Sequence, residues 1–317
     1  MSPCRVPARP ALVASLLSGA LALSACGGAT ESAGSAEPGE SVEIQHAQGS
    51  TSVPVKPARV AVLDFGVLDT VDALGGNVVA VPHRGLPAFL EKFTGESYTD
   101  IGTMQEPDME RLAAAEPDVI LIGGRSAPKY AELAKIAPTL DLSLTGNDAI
   151  ADAKEQAQQI GSIFDGREQV ERELATLDDT IERVAGKAAN AGTGLVLMSS
   201  GGKVSAFGPE SRFGVIHRQL GVKPAMGELS TDRHGQALSF EAIASADPDH
   251  LFVIDRDAAI GQSGAAAARV LDNALVNRTK AATNDKITYL DGQRWYIAGS
   301  GLRNLPAMVA EVEASFD

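Results

Sequence analysis

A chain of 317 residues has room for about two domains, and its 44% hydrophobic and 21% charged residues are the balance of a packed globular body. Its 41 acidic and 27 basic side chains leave a net charge of -14, which repels nucleic acid. Aromatic residues, at 4%, are too sparse for stacking platforms on bases or sugars. No apolar run reaches the roughly 20 residues of a bilayer span, and the only cysteines, Cys4 and Cys26, exclude a disulfide framework or a zinc–cysteine site in the body.

The chain opens with Arg5 and Arg9 ahead of an apolar segment over 12–23, the pattern of a secretory signal covering residues 1–25. Leu23-Ser24-Ala25-Cys26 resembles the bacterial lipobox, whose cysteine becomes the lipidated N-terminus. Residues 27–41 are rich in Gly, Ser, Ala and Glu without apolar periodicity, so 26–42 is expected to be a lipidated cysteine followed by a flexible tether. Cleavage removes two arginines and takes the charge from -14 to -16. The expected location is the extracytoplasmic face of the cell membrane, held by lipid chains rather than by a spanning helix.

From residue 43 short apolar strands alternate with helical stretches. Strands are predicted at Val60–Leu63, Val78–Val81, 119–123, 195–199, 251–254 and Ile287–Leu290. This alternation implies an α/β fold of two Rossmann-like lobes with mainly parallel sheets, an N-terminal lobe over 43–165 and a C-terminal lobe over 190–317. Between them, 166–189 carries Val170, Leu174, Leu177, Ile181, Val184 and Ala188 in steps of three and four, the stripe of a single long α-helix. At 1.5 Å per residue it spans roughly 36 Å. A packed helix between the lobes should allow only small movements of the cleft.

An internal repeat links the lobes. Residues 108–125 (DMERLAAAEPDVILIGGR) and 239–256 (SFEAIASADPDHLFVIDR) align Glu110 with Glu241, Pro117-Asp118 with Pro248-Asp249, and Arg125 with Arg256. Asp108 and Ser239 suit helix N-caps, and each proline follows a helix end. The helix runs antiparallel to the strand behind it, so glutamate and arginine share one rim of their lobe. Ligands of open α/β sheets bind outside the carboxyl ends of the strands. Two such lobes face to face enclose an arginine-lined cleft.

Nucleophile, zinc-protease and nucleotide-loop motifs are absent: no G-x-S-x-G, H-E-x-x-H or G-x-x-x-x-G-K-[ST] occurs, nor G-x-G-x-x-G after a strand. His217 and His250 fall within predicted helix and strand and read as structural. By themselves His234 reads as a loop histidine, Tyr296 as half-buried packing, and Arg212, in a Gly/Pro loop, as a surface ion pair. Glutamates at helix N-termini gain from the helix dipole with no further role.

Together these segments say more. GGRSAPKY, SAFGPESRFGVIH, RHGQALSFE, VIDRDAAIG, VLDNALVNRTKAA and YLDGQRWYIAGSGL resemble the substrate-binding lipoproteins of ferric-siderophore ABC importers, specifically their catecholate branch, over nearly the whole length from Arg59. The resemblance implies a class III, helix-linked binding protein, monomeric and without chemistry or an intrinsic cofactor, whose ligand carries Fe(III). It implies that Arg125, Arg212 and Arg256 surround a trianionic iron–catecholate core. It further implies that His234 and Tyr296 complete the iron shell of a siderophore offering only four donors. Arg84, Arg233 and Arg294 are extra cations relative to that pattern. Glu110 and Glu241 fall at the positions that dock on the ABC permease, through which a cytoplasmic ATPase supplies the energy. Other ligands that would fit such a fold are a hydroxamate siderophore, haem or vitamin B12; a secreted siderophore hydrolase lacks a nucleophile–base motif.

Overall fold

The computed structural model describes residues 40–317 apart from 146, 147 and 265; the expected signal segment, Cys26 and most of the expected tether lie outside them. The tether expectation is corrected at its end. Strand β1 (Ser41–His46) pairs antiparallel with β2 (Gly49–Pro54), Val42 facing Val53. Val42, Ile44 and Val53 give this hairpin an inner face, with Ile44 and Val53 buried, so residues 41 and 42 belong to the folded body.

The first sheet holds β3 (Val60–Leu63), β4 (Val78–Val81), β5 (Thr99–Asp100), β6 (Val119–Ile122) and β7 (Thr139–Asp141) in the order β5-β4-β3-β6-β7. All its pairings are parallel. The central strands β3 and β6 read VAVL and VILI and are buried at every position, as a parallel sheet covered on both faces requires.

The second sheet contains β8 (Thr193–Ser200), β9 (Lys203–Phe207), β10 (Lys223–Pro224), β11 (Gln236–Leu238), β12 (His250–Asp255) and β13 (Ile287–Leu290). Its order is β11-β9-β8-β12-β13, with β10 parallel to β8 off that path. Strand β9 runs antiparallel to both β8 and β11, so this sheet is mixed. Gly201 and Gly202, both at positive φ, form the two-residue turn from β8 to β9; glycine is favoured there because the turn that matches strand twist needs left-handed backbone.

The helix Arg167–Ala188 follows the helix Ala149–Ile163 after a short turn and buries Val170, Leu174, Leu177, Val184 and Ala188. Those residues pack in one apolar cluster with Ile150, Ala153 and Ala157, with Val196 and Phe252 of the second sheet, and with Leu305, Met308 and Val312 of the C-terminal helix Asn304–Ala314. One core thus runs from a helix of the first lobe into the second.

A second junction was not expected from the sequence. The buried Asp69 carboxylate, on the helix Phe65–Ala73, accepts from the backbone N–H groups of Arg303 (2.8 Å) and Asn304 (2.9 Å). It thereby satisfies donors at the start of the C-terminal helix. Leu302 N donates to Thr70 Oγ1 (3.1 Å), Arg303 pairs with Asp72 (2.9 Å) and Ser300 Oγ donates to Gln156 (3.0 Å). Residues 300–304, counted with the C-terminal lobe, are therefore bonded to helices of the N-terminal one.

Candidate ligand-binding site

The two repeat units reach equivalent places. Asp108 caps the helix Met109–Ala114 and Ser239 caps Phe240–Ala246, each through its side chain. The strands that follow, β6 and β12, are inner strands of their sheets. Arg125 stands two glycines past β6, and Arg256 directly follows β12. Gly123 must lack a side chain, since a Cβ there would lie 2.3 Å from Asp64.

Past these strand ends lies a cavity of about 950 Å³ lined from both lobes, by Arg125, Ser143 and Asp64 on one side and by Arg212, Lys203 and Arg256 on the other. Arg233, His234 and Tyr296 also line it. Tyr296 is the hub. It sits in the π-helical turn Gln293–Ala298, an uncommon geometry that often marks functional sites. The guanidinium carbons of Arg212, Arg125 and Arg256 lie 4.9, 5.5 and 5.6 Å from its ring centroid, within cation–π range. Arg256 Nε donates to the phenol oxygen (3.1 Å) and Arg256 Nη1 to Ser200 Oγ (3.2 Å). Arg125 crosses between lobes to donate to the carbonyls of Ile297 (2.7 Å) and Tyr296 (2.8 Å), and Arg212 shares the Tyr296 carbonyl (3.1 Å).

These like charges leave a mark on Arg212 and Tyr296. Arg212 is reached by water from the cleft mouth, yet its guanidinium is packed between the rings of Phe213 and Tyr296. Desolvation first, and then the charges of Arg125 and Arg233, pull its pKa down to about 10. For Tyr296, burial pushes the phenol up, but the Arg256 hydrogen bond and the charges of Arg256, Arg125 and Arg212 together hold it below its usual value. Asp64, the only carboxylate lining the cavity among the described residues, is pushed up by burial, against the bonds from Val67 N and Gly66 N and the Arg125 charge. The cleft is thus strongly positive inside an acidic protein, an arrangement that focuses its field on an anion.

Arg84 and Arg294 are not part of it. Arg84 is exposed on the turn after β4, where its backbone N–H bonds to Gly102 (3.1 Å). Arg294 stacks on Phe89 (4.5 Å), donates to Asn304 Oδ1 (3.1 Å) and faces Asp291 (3.5 Å) and Glu311 (3.8 Å). Two residues along a helical turn fall on opposite sides, so Tyr296 in the cleft leaves Arg294 outside it. Glu110 and Glu241 are exposed in the first turns of their helices. His217 and His250 are buried and bonded to the carbonyls of Val222 (2.8 Å) and Ala191 (3.0 Å).

The sequence reading passed over Lys203, Ser200, Ser205 and Asp64. The signal for Lys203 was present, though weak: Gly201-Gly202 between the apolar run LVLM and the short alternating KVSAF marks a hairpin. Asp64, directly after a buried strand, caps the helix Phe65–Ala73 through Gly66 N (3.0 Å) and Val67 N (3.1 Å).

Residues 60–294 match the model of a family described as periplasmic binding protein. The chain is 40% identical to the petrobactin-binding protein YclQ of Bacillus subtilis over 300 residues, 93% of this chain and 94% of that one. It is 32% identical to the ferric-anguibactin-binding protein FatB of Vibrio anguillarum, covering 86% of each. The crystal structure of YclQ superposes with a TM-score of 0.84 over 88% of this chain and 99% of that one. The catecholate-siderophore binding protein VctP of Vibrio cholerae, 33% identical, gives 0.80 over 87% and 100%. The fold is that of the helix-linked class III binding proteins, and with the family model spanning most of the chain, this protein belongs to the periplasmic binding protein family.

Proposed function

We propose that this protein captures a ferric siderophore of the catecholate type outside the cytoplasm and hands it to an ABC permease for iron uptake. The observation that carries the reading is the set of three arginines, drawn from both lobes, around one tyrosine in a cleft of about 950 Å³. Iron(III) held by three catecholates is formally trianionic, and three guanidiniums balance it. Arginine suits the task because its planar fork donates several hydrogen bonds and stays charged in a partly dry site. The relatives named for petrobactin, ferric anguibactin and catecholate siderophores support the same ligand class.

In this reading iron is cargo. His234 and Tyr296, both lining the cleft, offer imidazole and phenolate donors to iron whose siderophore supplies only four. The exposed Glu110 and Glu241 dock the two lobes on the permease, whose ATPase supplies the energy. Cys26 carries the lipid that holds the protein at the membrane; no helix among the described residues is long and apolar enough to cross one.

The sole tryptophan, Trp295, adjoins Tyr296, so ligand binding can be followed by quenching of its fluorescence. Titration with ferric tris-catecholate, ferric hydroxamate, haem and vitamin B12 should give tight binding for the catecholate alone. Tighter binding of any of the other three overturns the catecholate assignment.

A further inference from the structure

The cleft holds more positive charge than a ferric tris-catecholate requires. Arg125, Arg212 and Arg256, the last 3.5 Å from Asp257, balance that core, yet Lys203 and Arg233 line the same cavity, and the one carboxylate lining it among the described residues, Asp64, is pushed toward its neutral form by burial. Arg233 is close enough to Arg212 to help depress its pKa and adds its charge to the core. Lys203 stands apart. It opens β9, whereas Arg233 lies beyond the other end of that strand, because Gln236 of β11 pairs with Ala206.

Several lysines elsewhere on this acidic protein are paired with carboxylates, as in Lys56–Asp165, Lys129–Glu106 and Lys187–Asp317. The Lys203 ammonium has neither a hydrogen-bond nor an ion-pair partner among the described residues. Its backbone is held firmly: it pairs with Ser200 across the hairpin, and Gly201 N donates to Asp257 Oδ2 (2.6 Å). Ser205, on the same wall, lines the cavity beside it, so an ammonium and a hydroxyl face the ligand space together, while the Ser200 hydroxyl donates to Asp257 Oδ1 (3.3 Å) and accepts from Arg256 (3.2 Å). An ammonium is a compact point charge suited to a carboxylate, in contrast with the flat fork that matches a catecholate pair.

Resting on the ferric-catecholate reading above, we infer that the ligand carries an anionic substituent outside its iron-binding catecholates, a pendant carboxylate, and that Lys203 with Ser205 is the specificity determinant that recognises it. The site then discriminates among siderophores by what decorates the metal core.

The test uses two ferric tris-catecholate chelates on one scaffold, one bearing a pendant carboxylate and the other its neutral amide, titrated by Trp295 quenching. The wild-type protein should prefer the carboxylate about three- to fivefold, the upper part of the range of a solvent-exposed ion pair, and the preference should shrink at high salt. Lys203→Met should abolish the preference, lowering affinity for the carboxylate chelate more than for the amide, which loses only the general attraction of one cleft charge; Lys203→Arg should retain most of it. Equal binding of both chelates by the wild type, or an unchanged preference in Lys203→Met, overturns the inference and leaves the ferric-catecholate reading standing. Failure of both chelates to bind overturns that reading and this inference with it.

Discussion

Replacing Arg125 separates ligand recognition from scaffold stability. Arg125 and Arg212 lie 5.5 and 4.9 Å from the same ring centroid, so their charges are at most about 10 Å apart and, at an effective dielectric constant of ~20, repel by about 1.6 kcal/mol or more. In the free protein Arg125→Gln loses the two charged bonds to the carbonyls of Ile297 and Tyr296 but also removes this repulsion and a comparable one with Arg256, so the two effects offset in large part. With a trianionic ligand in the cleft no such compensation exists, and the loss of charge-assisted bonding, about 1.5–3 kcal/mol, weakens affinity by about tenfold to 150-fold. Arg125→Lys keeps the charge without the fork and should fall between. Quenching titrations with a ferric tris-catecholate, set beside urea unfolding of the same variants, measure both quantities. Unchanged affinity in Arg125→Gln refutes the argument, as does destabilisation by several kcal/mol with affinity falling only in step.

Other outcomes follow from the same geometry. Arg212 should lose its proton near pH 10 in the free protein: because its folded pKa lies below the unfolded value, its charge costs stability at neutral pH and that cost fades as pH rises through about 10, while ligand affinity drops over the same range. An affinity flat to pH 11 contradicts this. Replacing His234 and Tyr296 together should spare hexadentate tris-catecholates but weaken tetradentate ligands and shift their charge-transfer absorption; equal loss for both ligand types counts against direct ligation of iron. Charge reversal at Glu110 and Glu241 should block cellular iron uptake with solution affinity intact, and weakened binding would contradict a docking role. Crystal structures with and without ligand should differ by a small rotation between lobes; a rotation of tens of degrees would show that the junctions yield.

Much of the fold could be read from local pattern, and the exceptions share a cause. Val60–Leu63, Val78–Val81 and Ile287–Leu290 were delimited to the residue because short β-branched or apolar runs flanked by turn residues have few alternatives. Strands β9 and β11 escaped because KVSAF and QAL alternate polar with apolar, weakly and over few residues. The hairpin β1–β2 escaped because its Gly- and Ser-rich composition continues that of the tether. At the site, a repeat in the sequence located Arg125 and Arg256 on facing rims. Choosing between Arg294 and Tyr296 needed the phase of a π-turn, and no residue pattern announces one. The partners of Arg125 lie 171 and 172 residues away, beyond the reach of local reasoning.

The same π-turn explains how the cleft can hold its charges before a ligand arrives. Three guanidiniums within 5.6 Å of one ring would drive the lobes apart if nothing opposed their repulsion. The Tyr296 carbonyl takes bonds from Arg125 of one lobe and Arg212 of the other, placing a negative dipole where the positive charges meet. Directly behind it, Leu302, Arg303 and Asn304 are bonded to Thr70, Asp72 and Asp69. With the helix Arg167–Ala188, the lobes are therefore joined in two places, and opening the cleft widely would break charge-assisted bonds at the second while bending the first. An anion entering this cleft meets donors already aimed at it, and binding energy is kept for recognition instead of closure.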